Sequence, residues 1–450
     1  MKLTLVGGGG FRVPQLLEAI AQRPAGQIDV TELCLYDVSE QRLRVMMAVL
    51  KQMRVAREPQ ITAAGSIAEA VRGADFVFSA IRVGGTGERV TDELVPLSHG
   101  ILGQETVGPG GYSYALRTIP VALELARTVA REAPGAWVVN FTNPAGIITQ
   151  AMRTVFGQRV IGICDTPIGL VTRVARALQI PEEELDYDYV GLNHLGWLRS
   201  VSHGGKELLP TLLESDALLD QIEETRLIGR EWVRALGVIP NEYLFYYYRN
   251  REAVAQIRAQ KNTRGQFLAR QQEAFYARAA ADLPHAWELW QAAHAQREAT
   301  YMAEARDVAH DGARRAADTT GGYQEVALNV MSALSGGPSR RMILNVANAH
   351  AGARVIPALA DDAVVEIPCT VDSSGPVPCA IAPVEGAQLG LIAQVKACES
   401  AVIQAVIAKD RAAAWQAIAL HPLVDSVVQA RQILDEYCER IPEVAAVFER

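Results

Sequence analysis

The sequence predicts an α/β protein built on a doubly wound parallel sheet, with a second part that is mixed α+β and mainly helical. Three observations carry this. Apolar runs at residues 3–6, 33–36, 76–81 and 137–141 are separated by stretches with apolar residues at helical spacing, the alternation that crossovers between parallel strands require. Four consecutive glycines, Gly7, Gly8, Gly9 and Gly10, follow the first run and give this half a Rossmann-like character. After Trp197 the alternation stops, and long alanine-rich, charged helical stretches take over. With 450 residues the chain exceeds what one hydrophobic core usually serves, so two domains are expected, residues 1–196 and residues 197–450. No linker rich in Pro, Ser or Gly separates them, which predicts a tight interface.

In chain order, residues 3–6 form a strand that meets the glycines, and residues 13–21 form a helix with Pro14 in its first turn. Glycines let the backbone approach a pyrophosphate, and the helix amino terminus offers it unpaired N–H groups. A complete dinucleotide fingerprint would place a third glycine near position 12, where this chain has Arg12. Residues 33–36 form the second strand and end at Asp37, placed to accept hydrogen bonds from an adenosine ribose. An acidic residue there favours NAD over its phosphorylated form; an Asp that merely caps the next helix is the plainer alternative. Gly7, Gly8, Gly9, Gly10, Phe11 and Asp37 are therefore the candidate cofactor contacts.

Residues 67–71 read as a helix and residues 76–81 as the third strand. Residues 82–111, with Arg89, Asp92, Gln104 and Glu105, read as a long polar, glycine-rich binding loop. Residues 114–131 are a helix and residues 137–141 the fourth strand. Its polar end is Asn140-Phe141-Thr142-Asn143-Pro144, at the carboxyl edge where ligands of parallel sheets bind, so Asn143 is a candidate sugar-hydroxyl contact.

The densest chemistry lies in residues 161–197. A short apolar run ends at Cys164-Asp165-Thr166-Pro167, with a helix expected from about residue 168, and the strand at residues 189–192 ends at Asn193-His194. A thiolate, an imidazole and a carboxylate at one rim of a sheet could share a divalent cation. A lone buried Cys or His is more often an inert packing group. The two together, flanked by Asp165 and Asn193 and placed after a nucleotide-binding pattern, point to a metal and substrate site.

Beyond Trp197, residues 198–202 read as an antiparallel strand turning at Gly204-Gly205, and residues 215–236 as a helical segment. Pro240-Asn241-Glu242-Tyr243 reads as a helix start. Tyr246, Tyr247 and Tyr248 read as aromatic packing, while Tyr243 faces a cleft. To act as a base its phenol must drop from about 10, through the metal, Arg264 or Lys261. Lys261-Asn262-Thr263-Arg264 is a candidate phosphate clasp, or else a solvated helix face. Residues 266–318 read as helical scaffold, residues 343–346 and 364–371 as strands with Cys369 structural, and residues 389–406, 412–419 and 424–437 as helices around a turn at His421-Pro422.

Composition narrows the partners. Hydrophobic residues make up 49%, enough for both cores, and the net charge of −8 without a lysine or arginine run argues against nucleic acid. An anionic substrate must be met locally by a few arginines. The six cysteines show neither disulfide-scaffold nor zinc-ribbon spacing, which suits a reducing cytoplasm. The first residues enter a strand directly, and no run approaches eighteen uncharged apolar residues, so neither a signal peptide nor a membrane partner is expected.

The glycine-rich start, Gly103-Gln104-Glu105-Thr106, Asn140-Phe141-Thr142-Asn143-Pro144, Cys164-Asp165-Thr166-Pro167, Gly191-Leu192-Asn193-His194, Pro240-Asn241-Glu242-Tyr243 and Thr263-Arg264 together resemble the NAD- and manganese-dependent glycosidases of glycoside hydrolase family 4. The match runs in order from residue 1 to about residue 430. The resemblance implies an NAD-binding first domain, a second domain for substrate and oligomerisation as a homodimer or homotetramer, and hydrolysis by transient oxidation. Hydride passes from sugar C3 to NAD, a base removes the acidified C2 proton, the aglycone leaves by elimination, water adds and the hydride returns; this class departs from the two-carboxylate scheme. By position, Cys164 and His194 resemble the ligands of Mn2+ or another divalent cation, and Tyr243 the base. Arg89, Glu105, Asn143, Asn193 and Arg264 would contact a small phosphorylated glycoside, with Arg89 and Arg264 on the 6-phosphate. Asp165 would protonate the leaving oxygen.

In this family the residue after the metal-binding cysteine tends to follow specificity, and Asp165 alone resembles the 6-phospho-α-glucosidases. The wording around it resembles the 6-phospho-β-glucosidases, and a 6-phospho-β-glucosidase is the expectation. A 6-phospho-α-glucosidase or other α-glycosidase of the family is the alternative. An NAD-dependent 2-hydroxy-acid dehydrogenase, which would form NADH in net amount, and a nucleotide sensor without turnover are more distant ones.

Overall fold

The computed structural model describes residues 1–449 except 25–26, 301, 303–304, 307–308, 310–314, 316–317 and 319–321. Its first half is set by six short parallel strands: β1 (Lys2–Val6), β2 (Glu32–Tyr36), β3 (Gln60–Ala63), β4 (Phe76–Ser79), β5 (Trp137–Asn140) and β6 (Val160–Gly162). They lie in the order β3-β2-β1-β4-β5-β6, so the chain reverses its direction of travel between β1 and β4. Ligands of doubly wound sheets bind at such a switch point. Successive residues face opposite sides: Phe78, Val139 and Ile161 join one core, Val77, Val138 and Val160 the other. Burial on both faces is why these strands read as continuous apolar runs. β3, an edge strand with no fully buried residue, lacks that signature and was not expected.

Helices α1 (Val13–Gln22), α2 (Glu40–Gln52), α3 (Ile67–Val71), α4 (Gly85–Ser98), α5 (Gly108–Glu132), α6 (Ala145–Phe156) and α7 (Thr166–Leu178) connect these strands. Residues 82–111 are therefore not the long loop expected: α4 and the start of α5 occupy most of them. The inner face of α4 is charged, which hid its helical period. Asp92 and Arg117 form a buried bidentate pair at 2.8 and 2.6 Å, and Arg89 pairs with Glu93 at 3.0 Å, one turn away. The helical segment expected at residues 215–236 is made of three short helices, Asp216–Leu219, Glu223–Ile228 and Arg230–Leu236, the last two parted by Gly229 at φ +106°.

The sheet continues past β6. β7 (Asp186–Leu192), β8 (Leu195–His203), β9 (Lys206–Glu207), β10 (Ile239–Pro240), β11 (Arg340–Ala347), β14 (Val364–Asp372) and β15 (Gly375–Pro378) extend it to thirteen strands, running β6-β11-β14-β7-β8-β10 with antiparallel neighbours; β12 (Ala349–His350) and β13 (Ala353–Arg354) form a separate ribbon. A Cβ on Gly162 would meet Thr149 Oγ1 at 2.4 Å and Asn345 Cβ at 2.8 Å, so glycine lets β11 close onto β6. β8 runs through positions 196 and 197, and one sheet serves both halves of the chain.

Helices Arg264–Ala281 and Ala286–Ala299 follow the scaffold expected over residues 266–318, whose end at residues 301–318 lies largely outside the described residues. Gly386–Ala408 is long and apolar enough to cross a membrane by length and composition, but half of its apolar window is buried, it packs on α5 and α6, and Lys396 pairs with Glu399 in its buried face. Helices Arg411–Ala419, Val427–Arg440 and Pro442–Phe448 complete the chain.

Candidate active site

At the switch point a cavity of about 810 Å³ opens. One wall is the glycine turn. Gly7 lies at φ +99°, where a Cβ would strike the Ala80 carbonyl oxygen at 2.4 Å, and Gly7 and Gly8 N–H both donate to the Tyr36 carbonyl. Three aromatic side chains from the second half hold the turn by its carbonyls: Tyr276 Oη donates to Gly9 at 2.6 Å, Trp290 Nε1 to Phe11 at 2.7 Å and Tyr323 Oη to Arg12 at 3.1 Å. Asp37 accepts from Gly9 N–H at 2.9 Å through one carboxylate oxygen and from Ser39 N–H at 2.9 Å through the other, which orients it at the cavity rim. A backbone this close to the cavity, with α1 starting behind it, could cradle a dinucleotide.

Across the cavity lie Cys164, Asp165, His194 and Tyr243. Cys164 and Asp165 are the link between β6 and α7, and His194, at φ +63°, is the turn between β7 and β8. The His194 imidazole and the Tyr243 phenol stack face to face, centroids 3.7 Å apart and planes 2° from parallel. Burial holds His194 neutral, its pKa pushed down to about 3 although Glu105 pulls it up. Among the described residues its Nδ1 has no hydrogen-bond partner, and neither has Asn143 Oδ1. Cys164 is 3% exposed, and burial, followed by Glu366 and Asp165, pushes its thiol well above its usual range. A buried imidazole with an unpartnered nitrogen and a buried thiol on the same cavity are donors that fit a soft or borderline divalent cation, whose charge would offset both penalties. Among the described residues no group of three His, Cys, Asp or Glu side chains is assembled, so a metal here would keep coordination positions for substrate oxygens or water.

Burial, then the charges of Glu242, Cys164, Glu105 and Asp165, drives the Tyr243 phenol well above its usual range, the opposite of what a base needs. Lys261, one of the three cations expected to lower it, is exposed and does not line the cavity.

The floor is cationic. Arg12, Arg82, Arg89, Arg264 and Arg297 all line it. Glu105 pairs with Arg82 at 2.5 Å and Arg89 at 2.6 Å; burial would raise its carboxyl, but the two guanidiniums outweigh it and hold it near 2. Arg264, first residue of its helix, donates to Thr300 Oγ1 and to the Arg297 carbonyl. Arg297 is half-buried, and desolvation plus the repulsion of Arg12, Arg264 and Arg89 holds it well below the usual arginine range, an excess of positive charge that an anion would relieve.

Of the expected site residues, Gly7, Gly9, Gly10, Phe11, Asp37, Arg89, Glu105, Asn143, Cys164, Asp165, His194, Tyr243 and Arg264 line this one cavity. Two do not. Gly8 packs on Leu35, and Asn193 is turned inward, where Oδ1 accepts from Ala145 N–H at 3.1 Å and Nδ2 donates to Glu366 at 3.3 Å. Arg297, Arg82 and Tyr323 were missed, and Arg12 was noted only as a departure from the glycine pattern; nothing local to any of them marks the cavity.

Two family descriptions match the chain: Family 4 glycosyl hydrolase over residues 2–180 and Family 4 glycosyl hydrolase C-terminal domain over residues 189–424. A probable 6-phospho-beta-glucosidase of Bacillus subtilis is 30% identical over 98% of this chain and 96% of its own length. Maltose-6'-phosphate glucosidase MalH of Clostridium acetobutylicum is 29% identical over 97% of each. The structure of the 6-phospho-beta glucosidase from Thermotoga maritima with manganese, NAD+ and glucose-6-phosphate superposes with a TM-score of 0.81, at 26% identity, over 99% of both chains.

Proposed function

The chain belongs to the family 4 glycosyl hydrolases, and from that premise we propose that it hydrolyses 6-phospho-β-glucosides, such as cellobiose 6-phosphate, to glucose 6-phosphate and an aglycone. The observation that carries the reading is the meeting, on one cavity, of a glycine cradle, of Cys164, His194 and Tyr243, and of a floor of clustered arginines. The first supports NAD, the second a divalent cation such as Mn2+, and the third the sugar 6-phosphate.

When bound, NAD supplies a reversible hydride acceptor and the cation a Lewis acid for the oxygens on C2 and C3. Residues 1–196 hold the dinucleotide through Gly7, Gly9, Gly10, Phe11 and Asp37, and Cys164 and His194 hold the cation. Tyr243 takes the C2 proton. With burial and four neighbouring acidic groups opposing a phenolate, that task depends on positive charge beside the ring stacked on it. Asp165, between Cys164 and α7, returns a proton to the departing oxygen. Arg89, Arg264, Arg12 and Arg297 hold the phosphate, and Asn143 offers its unpartnered Oδ1 to a sugar hydroxyl. A compartment that keeps Cys164 reduced, such as the cytoplasm, suits this chemistry.

The second reading, a 6-phospho-α-glucosidase, rests on Asp165 in the position after Cys164 and on relatives named 6-phospho-beta-glucosidase and 6-phospho-alpha-glucosidase. Hydrolysis of p-nitrophenyl glucoside 6-phosphate in each anomeric form, with NAD and Mn2+ under reducing conditions, separates the two. Turnover of the β anomer is expected; turnover of the α anomer alone transfers the assignment, and silence with both removes it.

A further inference from the structure

Between Cys164 and Tyr243 runs a short chain of hydrogen bonds whose polarity can be worked out from one end. The Tyr243 backbone N–H can only donate, and it points at the Asn241 side-chain oxygen at 3.0 Å. That fixes the amide: Asn241 Nδ2 faces the other way and donates to Thr166 Oγ1 at 2.8 Å. Thr166 Oγ1 is thereby an acceptor towards Asn241, and its own hydrogen is left for the neighbour on its other side, Cys164 Sγ at 3.3 Å. Asn241 is fully buried, so water does not supply it with alternative partners, and Thr166 is nearly so at the cavity wall. Asn241 is further anchored by its own N–H, which donates to the Gly196 carbonyl at 2.8 Å.

We propose that Asn241 and Thr166 are positioning residues that aim a hydroxyl hydrogen at the Cys164 sulfur, orienting that side chain towards a metal and keeping it in register with the loop that carries Tyr243. The proposal rests on the reading of Cys164 as a metal ligand. Groups that orient a metal's ligands in this way contribute about ten- to a hundredfold to metal affinity.

The test is Mn2+ affinity of the full-length protein at saturating NAD, read from the electron paramagnetic resonance signal of free Mn2+, with NAD affinity measured in parallel. Thr166→Val removes the hydroxyl at nearly constant shape and should weaken Mn2+ binding about ten- to a hundredfold, with NAD affinity within about twofold of the parent. Thr166→Ser, which keeps the hydroxyl, should restore most of the loss. Asn241→Asp still accepts from Tyr243 N–H but gives Thr166 a carboxylate to donate to, so it should weaken Mn2+ about as much as Thr166→Val, and the double variant should be no worse than either. Cys164→Ser separates the two levels of the argument. If it loses Mn2+ while Thr166→Val does not, or if Thr166→Ser is as weak as Thr166→Val, the relay is overturned alone. If Cys164→Ser binds Mn2+ like the parent, the metal reading and the relay both fall. A loss of NAD affinity parallel to that of Mn2+ in Thr166→Val would mean general damage and would also overturn it.

Discussion

His194 and Tyr243 lie ring on ring, 3.7 Å between centroids and 2° from parallel, one from the turn after β7 and the other from a single helical turn at Glu242–Leu244. The contact pins the phenol against the imidazole proposed to hold the cation, so the group that must lose a proton sits where positive charge would arrive.

Tyr243→Phe keeps the stack and deletes the hydroxyl. Its unfolding temperature should be close to the parent's, while kcat falls about 10²- to 10⁴-fold, the usual contribution of a general base. Exchange of a deuterium at sugar C2 with solvent during turnover should stop. Continued exchange at the parent rate would assign the base elsewhere.

Arg297→Met tests the cationic floor. Losing a charge-assisted hydrogen bond costs about 1.5–3 kcal/mol, so KM for a glucoside 6-phosphate should rise about ten- to a hundredfold with NAD affinity unchanged. An unaltered KM would detach Arg297 from the phosphate site.

Arg117→Leu should destabilise the protein by about 3–5 kcal/mol in urea unfolding, because it strands the Asp92 carboxylate between α4 and α5 with no exposure. Replacing both by leucine should recover most of the loss. A single variant as stable as the parent would show that this pair does not hold the two helices together.

Acid sensitivity follows from His421, buried at the turn before the helix Val427–Arg440, where Nδ1 accepts from Leu423 N–H at 3.1 Å. Burial holds its pKa near 3 against an ordinary 6.5. Above pH 6.5 both folded and unfolded chains are neutral at this residue, and its stabilising contribution is fully present. As pH falls below that, the unfolded chain binds a proton the folded one refuses, and stability drops by about 1.4 kcal/mol per pH unit until the folded value is reached. His421→Asn keeps an acceptor for Leu423, and its stability between pH 6 and 5 should fall less steeply than the parent's by about that slope. Equal slopes would mean the imidazole is protonated within the fold.

Much of the frame was legible along the chain. Strands buried on both faces announce themselves as apolar runs, and Cys164, Asp165, Asn143 and His194, which all line the cavity, stand out against them as polar residues at the ends of such runs. The expected loop at residues 82–111 failed for a physical reason: α4 buries Arg89, Asp92 and Glu93, so the face that should have shown helical period in apolar residues shows charge instead. Asn193 was read as a ligand contact from its place beside His194, but a strand turn sends neighbours in opposite directions, and it went to Glu366.

The sequence alone determined the alternation of strands and helices, the glycine turn and the motif residues of the site, since each is written in spacing over a few residues. Only the tertiary structure decided that β11 and β14 would carry the sheet past β6, that Arg12 and Arg297 would meet from different halves of the chain, and that Asn241 would join Tyr243 to Thr166. Those are consequences of packing, where which groups become neighbours is set by closure of the whole core and leaves no local trace.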